Sequence, residues 1–261
     1  MCLILLAIDS HPGYSLIIAS NRDEFYDRPS EPAHFWKDCP NMLAGRDLKA
    51  QGTWLGFTRD GKFATLTNFR DPASRKDDAP SRGHLVSDYL KGHESPEQYI
   101  LKLKDRENRY NGFNLVLGEH QRLFYYSNLE KVLRRLSSGI FGLSNQLLDI
   151  PWPKLVRGKE NFKHVISDDR EISPDDIFPI LQDKTLPDDD SLPDTGVGLE
   201  KERMLAPVFI KSPDYGTRST TIILVDKKGR VSFVERTYNT KDNIHSDVNF
   251  EFQITSFDKM T

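Results

Sequence analysis

The chain has 261 residues, of which 37% are hydrophobic, 29% are charged and 10% are aromatic. This composition is that of a folded soluble protein and excludes the disordered, collagen-like and disulfide-scaffold classes. Lys and Arg total 36 against 39 Asp and Glu, a net charge of -3, so no basic surplus indicates nucleic acid or an anionic membrane as a partner. Because Cys2 and Cys39 are the two cysteines, we expect no disulfide framework and a reducing, cytoplasmic location.

The chain opens on an apolar run, residues 2–8, that ends at Asp9. This run lacks the cationic start and the small-residue cleavage site of an export signal. No stretch reaches the roughly 20 apolar residues of a membrane-spanning helix. The run instead predicts the first strand of a hairpin whose second strand is residues 14–20. Because both runs are apolar at nearly every position, we expect strands that are covered on both faces, in a sheet with layers above and below.

Strand and helix patterns alternate along the rest of the chain. The dipeptide Asp60-Gly61 predicts a hairpin between residues 53–58 and 62–68, and residues 184–198 are rich in Pro, Asp and Gly and predict a loop. Helices are predicted after the caps Ser81 and Ser95 and over residues 154–166 and 174–181. Further strands are predicted at residues 113–117, 123–126, 131–133, 208–210, 219–225, 231–234 and 250–254. This order predicts a single α+β domain over residues 1–261, with helices around stacked antiparallel sheets.

Cys2 directly follows the initiator Met1, and a residue this small allows the methionine to be removed. The mature chain would then begin with a thiol and a free α-amine on one residue. An α-amine whose ordinary pKa is about 7.7 to 8.0 can take the proton of a thiol and later protonate a leaving nitrogen. Cys2 is therefore a candidate nucleophile, and the alternative is a small apolar residue packed in a buried strand.

The motif Asn21-Arg22-Asp23-Glu24 places polar side chains at the end of the second buried strand. Charges that are removed from water need partners. Strand alternation directs Asn21 and Asp23 to one face and Arg22 and Glu24 to the other. A carboxylate near the new terminus can hold or orient the amine, and the alternative is a salt bridge at the strand end.

Three more residues carry side-chain donors that suit an oxyanion, namely Asn68, Asn145 and Arg218. Attack of a thiolate on an amide places negative charge on the carbonyl oxygen, and preorganised donors at that position lower the barrier. Taken singly, each of the three also fits a turn or the protein surface.

Seven short motifs occur in one order along the chain, Met1-Cys2, Asn21-Arg22-Asp23-Glu24, Gly52-Thr53-Trp54-Leu55-Gly56, Asn68-Phe69-Arg70, Tyr110-Asn111-Gly112-Phe113-Asn114-Leu115, Gly142-Leu143-Ser144-Asn145 and Tyr215-Gly216-Thr217-Arg218. Together they resemble the NRDE family, also called the transport and Golgi organisation protein 2 family, from residue 1 to about residue 238. Where related members have Gly-Gly-Thr-Trp, this chain has Gln51-Gly52-Thr53-Trp54. We expect this departure to alter a loop rather than the chemistry.

The resemblance implies a branch of the N-terminal nucleophile hydrolases and their four-layer αββα sandwich of two stacked, mainly antiparallel sheets. Similarity to the choloylglycine hydrolase and penicillin acylase branch also implies site roles. Cys2 would be the nucleophile and base, and Asp23 would orient the amine. The implied oxyanion or substrate contacts are Asn68, Asn145 and Arg218.

One feature departs from the pattern of that branch. The branch has an Arg three residues before its Asp, whereas here Ser20 takes that place and Arg22 is adjacent to Asp23. Arg22 and Trp54 are assigned as candidate substrate-binding residues.

The leading hypothesis is hydrolysis of a linear amide whose identity is unknown. Because the resemblance also implies links to Golgi organisation, mitochondrial lipid metabolism and haem trafficking, the alternative is a non-catalytic carrier of haem or an acyl lipid. Cys39-Pro40 is a pair of the kind seen in regulatory haem sites, although it is also common in turns. The seven His residues show no metal-binding spacing, so we expect no metal and no cofactor other than haem as a bound ligand.

Overall fold

The two opening strands contribute alternate side chains to two different cores. The computed structural model describes residues 2–119, 122–239 and 244–255. In it, strands β1 (Cys2–Ile8) and β2 (Tyr14–Phe25) pair antiparallel. Ile4 of β1 belongs to a core between two sheets, whereas Leu3 packs beneath helices. This burial on both faces explains the continuous apolar run and confirms the predicted hairpin.

The described residues form thirteen strands and five α-helices. The other strands are β3 (Ser30–Trp36), β4 (Cys39–Asp47), β5 (Leu55–Thr58), β6 (Lys62–Asn68), β7 (Phe113–Glu119), β8 (Arg122–Ser127), β9 (Arg134–Leu136), β10 (Gly139–Leu143), β11 (Tyr215–Asp226), β12 (Arg230–Asn239) and β13 (Ile244–Gln253). The helices are α1 (Gly83–Lys91), α2 (Pro96–Lys104), α3 (Pro153–Ile166), α4 (Pro174–Leu181) and α5 (Leu199–Leu205).

These elements form a four-layer sandwich. One sheet has six strands in the order β10-β1-β2-β11-β12-β13, and the other has seven, β3 to β9 in chain order. The strand pairs in both sheets are antiparallel. The inner faces share one apolar core, α3 and α4 cover the six-stranded sheet, and α1 and α2 cover the seven-stranded sheet. The αββα arrangement is therefore confirmed.

Local sequence signals account for two of the helix starts. Ser95 caps α2 by accepting a hydrogen bond from the backbone N–H of Gln98, and the Gln98 side chain accepts from the Ser95 backbone. Ser173 caps α4 in the same way, with Asp176 as the reciprocal acceptor. The predicted cap Ser81 lies one residue before the N-cap position, Arg82, whose side chain makes no capping bond, and the Ser81 hydroxyl accepts a hydrogen bond from the N–H of Gly83, the first residue of α1, at 3.3 Å. Within the described ranges, no helix combines the length and the apolar character that crossing a bilayer requires.

Other predicted elements are shifted, absent or additional. The strand predicted at residues 131–133 is wrong, because Lys131 has a positive φ of 58° and β9 begins at Arg134. Residues 208–210 form no strand, and the Ile210 N–H donates instead to the Thr217 hydroxyl at 3.0 Å. The predicted loop, residues 184–198, contains one short 3-10 turn. The elements that the patterns did not predict are β3, β4, β10 and α5.

Glu235 links the two sheets inside the molecule. It lies on β12, is 2% exposed, and accepts hydrogen bonds from the backbone N–H of Ala33 on β3 at 2.7 Å and from the Thr221 hydroxyl at 3.1 Å. Burial raises the pKa of Glu235 from 4.5 to about 7, because the carboxylate loses its hydration, and the two hydrogen bonds offset this only in part.

We therefore expect Glu235 to make the protein less stable as the pH rises. Between the unfolded and folded pKa values the native state binds more protons than the unfolded chain, so the stability present below about pH 4.5 is lost as the pH passes 7, by about 3 kcal/mol. Glu235→Gln keeps the acceptor for Ala33 without a charge. Its free energy of unfolding in urea should exceed that of the wild type at about pH 8 and should approach it at about pH 4. Glu251→Gln, at an exposed position of β13, is the control, and parallel pH curves for wild type and Glu235→Gln would contradict the prediction.

Candidate active site

Cys2 is the first residue of β1 and pairs with Arg22 of β2. Its side chain is partly buried, and its carbonyl accepts a hydrogen bond from the Ser144 hydroxyl at 3.3 Å. Burial raises the pKa of the Cys2 thiol, and the Asp23 carboxylate raises it further, while a hydrogen bond from the Asp23 backbone and the Arg22 guanidinium favour the thiolate. Met1 lies outside the described residues. The thiol therefore sits at the edge of the buried hairpin, in a setting that contains cations.

Asp23 is fixed by the neighbouring strand β11. The residue is 3% exposed and pairs with Thr217, whose hydroxyl donates to the Asp23 carboxylate at 2.6 Å. The Tyr215 hydroxyl donates to the Asp23 backbone carbonyl at 3.0 Å. Burial raises the pKa of Asp23, whereas Lys154 and the Thr217 hydroxyl act to lower it. This carboxyl group is thus held in one position beside the start of β1.

Asn21 and Arg22, which precede Asp23 on β2, point to opposite faces of the sheet, as strand alternation predicts. The Asn21 amide donates to the carbonyls of Leu181 at 2.8 Å and Val208 at 3.0 Å, so it ties the strand to the helix layer. Arg22 points toward the other sheet, where its guanidinium lies 4.2 Å from the centroid of the Trp54 ring. The predicted substrate-binding pair, Arg22 and Trp54, therefore forms one stacked unit between the sheets.

Asn145 and Asn68 are brought together beside Cys2. Asn145 is buried directly after Ser144 and donates to the Asn68 backbone carbonyl at 2.8 Å. Its own carbonyl accepts from the Arg70 N–H at 2.7 Å. The two hydrogen bonds join the segment after β10 to the end of β6. Because β10 is the neighbour of β1 in the sheet, this junction lies at the edge that carries Cys2.

Arg218 occupies a different position from the other predicted residues. It lies in a β-bulge of β11, and its guanidinium donates to the carbonyls of Phe25 at 2.8 Å and Arg28 at 3.0 Å. In the described part of the chain its hydrogen bonds thus go to the turn after β2 and not to Cys2. Together with Tyr26 and Tyr238 it lines an open cleft of about 430 Å³.

Two cations near Cys2 were not predicted from the sequence. Arg82 precedes α1 and donates to the Gly112 carbonyl at 2.8 Å. Burial lowers its pKa to about 10, and the interaction with Cys2 acts in the opposite direction. Lys154 lies in the first turn of α3, is 4% exposed and donates to the Leu205 carbonyl at 3.1 Å. Its only signal in the sequence is its place after Pro153 at a helix start, which does not reveal burial.

Ser219 adds a buried hydroxyl to the inter-sheet side of the site. It pairs with Arg22 across β2 and β11, so Cys2, Arg22 and Ser219 form one row across the sheet. Among the described residues its Oγ has no hydrogen-bond partner. A substrate polar atom that entered between the sheets could satisfy this group.

The second cysteine lies in the other sheet. Cys39 begins β4, where it pairs with Trp36 and packs partly buried against the apolar cluster beneath α1 and α2. Among the residues that the structure describes, no group of three or more His, Cys, Asp or Glu side chains could hold a metal ion.

Known proteins that are similar to this chain identify its family and its fold. The family model described as Transport and Golgi organisation 2 matches residues 1–240. The chain is 37% identical over 277 residues to the Transport and Golgi organization protein 2 homolog of Homo sapiens, with 98% of this chain and 100% of that one covered. It is 36% identical over 279 residues to the Mus musculus homolog, with 98% and 100% covered. Among solved structures, the C2A mutant of the conjugated bile acid hydrolase from Clostridium perfringens matches with a TM-score of 0.53 and 10% identity, covering 100% of both chains.

The four-layer architecture and this structural match define the fold as that of the N-terminal nucleophile hydrolases. At 10% identity the match concerns the fold alone. The chain belongs to the Transport and Golgi organisation 2 family. The resemblance drawn from the motifs is therefore confirmed.

The loop that carries Trp54 also sets the position of Arg82. Gly52 approaches the start of α1 so closely that an added Cβ would lie 2.6 Å from the backbone carbon of Gly83. Gln51, the residue before it, has a positive φ of 61°. Glycine is thus required at position 52 by contact, whereas position 51 only bears local strain.

We expect Gly52→Ala to lower the free energy of unfolding by about 2 kcal/mol, because its methyl group collides with backbone that cannot rotate away. Gln51→Gly is the matched control in the same loop. Glycine adopts the positive φ without strain, but it also increases the conformational entropy of the unfolded chain. The two effects oppose each other, so the free energy of unfolding of Gln51→Gly should stay within about 1 kcal/mol of the wild-type value. Urea denaturation measures both variants, and equal effects of the two substitutions would refute this account of the loop.

Proposed function

We propose that the chain is an N-terminal cysteine amide hydrolase that acts on a linear amide after removal of Met1. The observation that carries the proposal is the buried Asp23 carboxylate, fixed by Thr217 at 2.6 Å directly beside the strand end that bears Cys2. A buried carboxylate needs a compensating positive group. An α-ammonium group on Cys2 meets that need and couples the carboxylate to the nucleophile.

In the proposed reaction the neutral α-amine of Cys2 takes the proton of its own thiol. The thiolate attacks the amide carbonyl carbon, and the carbonyl π electrons move onto oxygen to give a tetrahedral oxyanion. The ammonium then gives its proton to the leaving nitrogen as the C–N bond breaks, which releases an amine and leaves a thioester. Water, deprotonated by the same amine, attacks the thioester and releases the acid and the free thiol.

The surrounding side chains divide the electrostatic work of this reaction. The guanidinium of Arg22 favours the thiolate and forms, with Trp54, a wall of the proposed substrate site. We assign the oxyanion donors to the junction of Asn68 and Asn145, because the bond from the Asn145 amide to the Asn68 backbone carbonyl fixes that junction beside Cys2. Arg218, which lines the cleft beyond the end of β2, is assigned to substrate contact.

Acylation of the intact protein tests the nucleophile. We expect mass spectrometry to show loss of Met1 and, when reaction with p-nitrophenyl acetate is quenched by acid during turnover, one acetyl group on the Cys2 thiol, formed as p-nitrophenolate leaves. Cys39→Ala should leave this acetylation unchanged, and Cys2→Ala should abolish it. Retention of Met1, or acetylation confined to Cys39, would contradict the proposal. The alternative is a carrier of haem or an acyl lipid, and in its haem form it instead requires a haem absorption shift that is lost in Cys39→Ala.

Replacement of Asp23 tests the orientation of the amine. Asp23→Asn keeps an acceptor for the Thr217 hydroxyl but removes the charge, so we expect the rate of Cys2 acetylation at neutral pH to fall roughly a hundredfold. Glu24→Gln, which removes the next carboxylate along β2, is the control and should change the rate little. Comparable rates for Asp23→Asn and wild type would refute the role assigned to Asp23.

A further inference from the structure

A buried lysine lies on the helix side of the Cys2 end of the central hairpin. Lys154 is in the first turn of α3, and the next residue, Leu155, packs in the same cluster as Leu3 of β1. The start of α3 therefore lies over the first residues of β1. The Lys154 ammonium is buried and donates to the Leu205 carbonyl at 3.1 Å. A buried ammonium is costly unless a carboxylate compensates its charge.

Four charged or titratable groups face Lys154 from the elements around it. Asp23 on β2 and Glu202 on α5 are acidic, Arg70 after β6 is basic, and the fourth is the Cys2 thiol. Glu202 forms a buried ion pair with Arg70 and also accepts hydrogen bonds from the N–H of Thr195 at 2.9 Å and from its hydroxyl at 2.6 Å. Its charge is thus largely taken up by other donors.

Asp23 shares with Asn21 the face of β2 that meets the helix layer, the layer in which Lys154 is buried, and is accordingly the main acidic influence on Lys154. Burial lowers the pKa of Lys154 to about 8, and Asp23 is the strongest influence in the opposite direction. The interaction is mutual, because Lys154 lowers the pKa of Asp23. At neutral pH the lysine still carries its charge, and it becomes neutral as the pH rises above about 8.

We propose that Lys154 is a positioning residue of the Cys2 centre, whose ammonium keeps the Asp23 carboxylate ionised while the α-amine of Cys2 gains and loses its proton. This inference rests on the proposed amide hydrolase function. In the attacking state the α-amine must be neutral, and without another cation the buried carboxylate would retain the proton on that amine. The positive charge of Lys154 at neutral pH removes this difficulty and also favours the thiolate.

The pH dependence of thiol alkylation tests this role without requiring amide turnover. In a Cys39→Ala background whose Cys2 terminus is verified by mass, the alkylation rate of Cys2 by iodoacetamide is followed across the neutral pH range. Lys154→Met should raise the midpoint of the rate profile by about one pH unit, because a cation near the thiol and amine is lost. Lys154→Arg retains the charge and should keep the wild-type midpoint.

Each outcome decides a separate point. A folded Lys154→Met protein with the wild-type midpoint would overturn the inference. An equal shift in Lys154→Arg would also overturn it, because the shift would then arise from altered packing and not from the lost charge. If Lys154→Met does not fold, NMR titration of the Lys154 side chain in wild type and Asp23→Asn decides. We expect a lower Lys154 pKa in Asp23→Asn, and an unchanged value would refute the pairing. Absence of Cys2 acetylation despite a shifted midpoint would instead contradict the hydrolase proposal.

Discussion

The loss of hydration at the end of the central hairpin is the constraint on which the site depends. β1 and β2 are covered on both faces, so the charged side chains that directly follow Asn21 are surrounded by protein and not by water. Each of these groups must therefore be matched by a fixed partner. Asp23 is matched by Thr217 and Lys154, and Arg22 by Trp54 and Asp47. The geometry of the candidate site follows from this requirement.

The two faces of β2 carry different sets of side chains of the candidate site. Asn21 and Asp23 lie on the helix side, where backbone carbonyls hold Asn21 and the Thr217 hydroxyl holds Asp23, and where Lys154 acts on Asp23 through its charge. Arg22 lies on the inter-sheet side with Cys2, its partner across the strands. The Lys154 charge that acts on the Asp23 carboxylate thus lies on the helix face of the sheet, whereas Arg22, which acts on the Cys2 thiol, lies on its inter-sheet face. In the proposed function, the α-amine that removal of Met1 exposes at the strand end links the groups of the two faces.

Much of the fold could be predicted from local patterns, because burial on two faces, helix capping and tight turns each require particular residue types within a few positions of one another. Ser95 and the Asp60-Gly61 turn are examples. β3 and β4 were not predicted, because their exposed polar positions and Pro40 weaken the strand pattern. The burial of Lys154 could not be read at all, since its partner Asp23 is distant in sequence. Asn68 and Asn145 were selected for their side-chain donors and given roles by the family resemblance, whereas the bulge that turns Arg218 toward Phe25 left no local signal.

The chemistry of the thiol also depends on how the two sheets are packed. Arg22 reaches the Cys2 region from the six-stranded sheet, while Arg82 reaches it from the start of α1, on the layer of the seven-stranded sheet. Gly52 fixes the latter by letting α1 approach the loop closely, and Glu235 joins the sheets through the Ala33 backbone. A change in sheet separation would move one guanidinium relative to the other and so alter the stability of the thiolate. If Cys2 is the nucleophile, as proposed above, these packing residues contribute to its reactivity through the placement of charge.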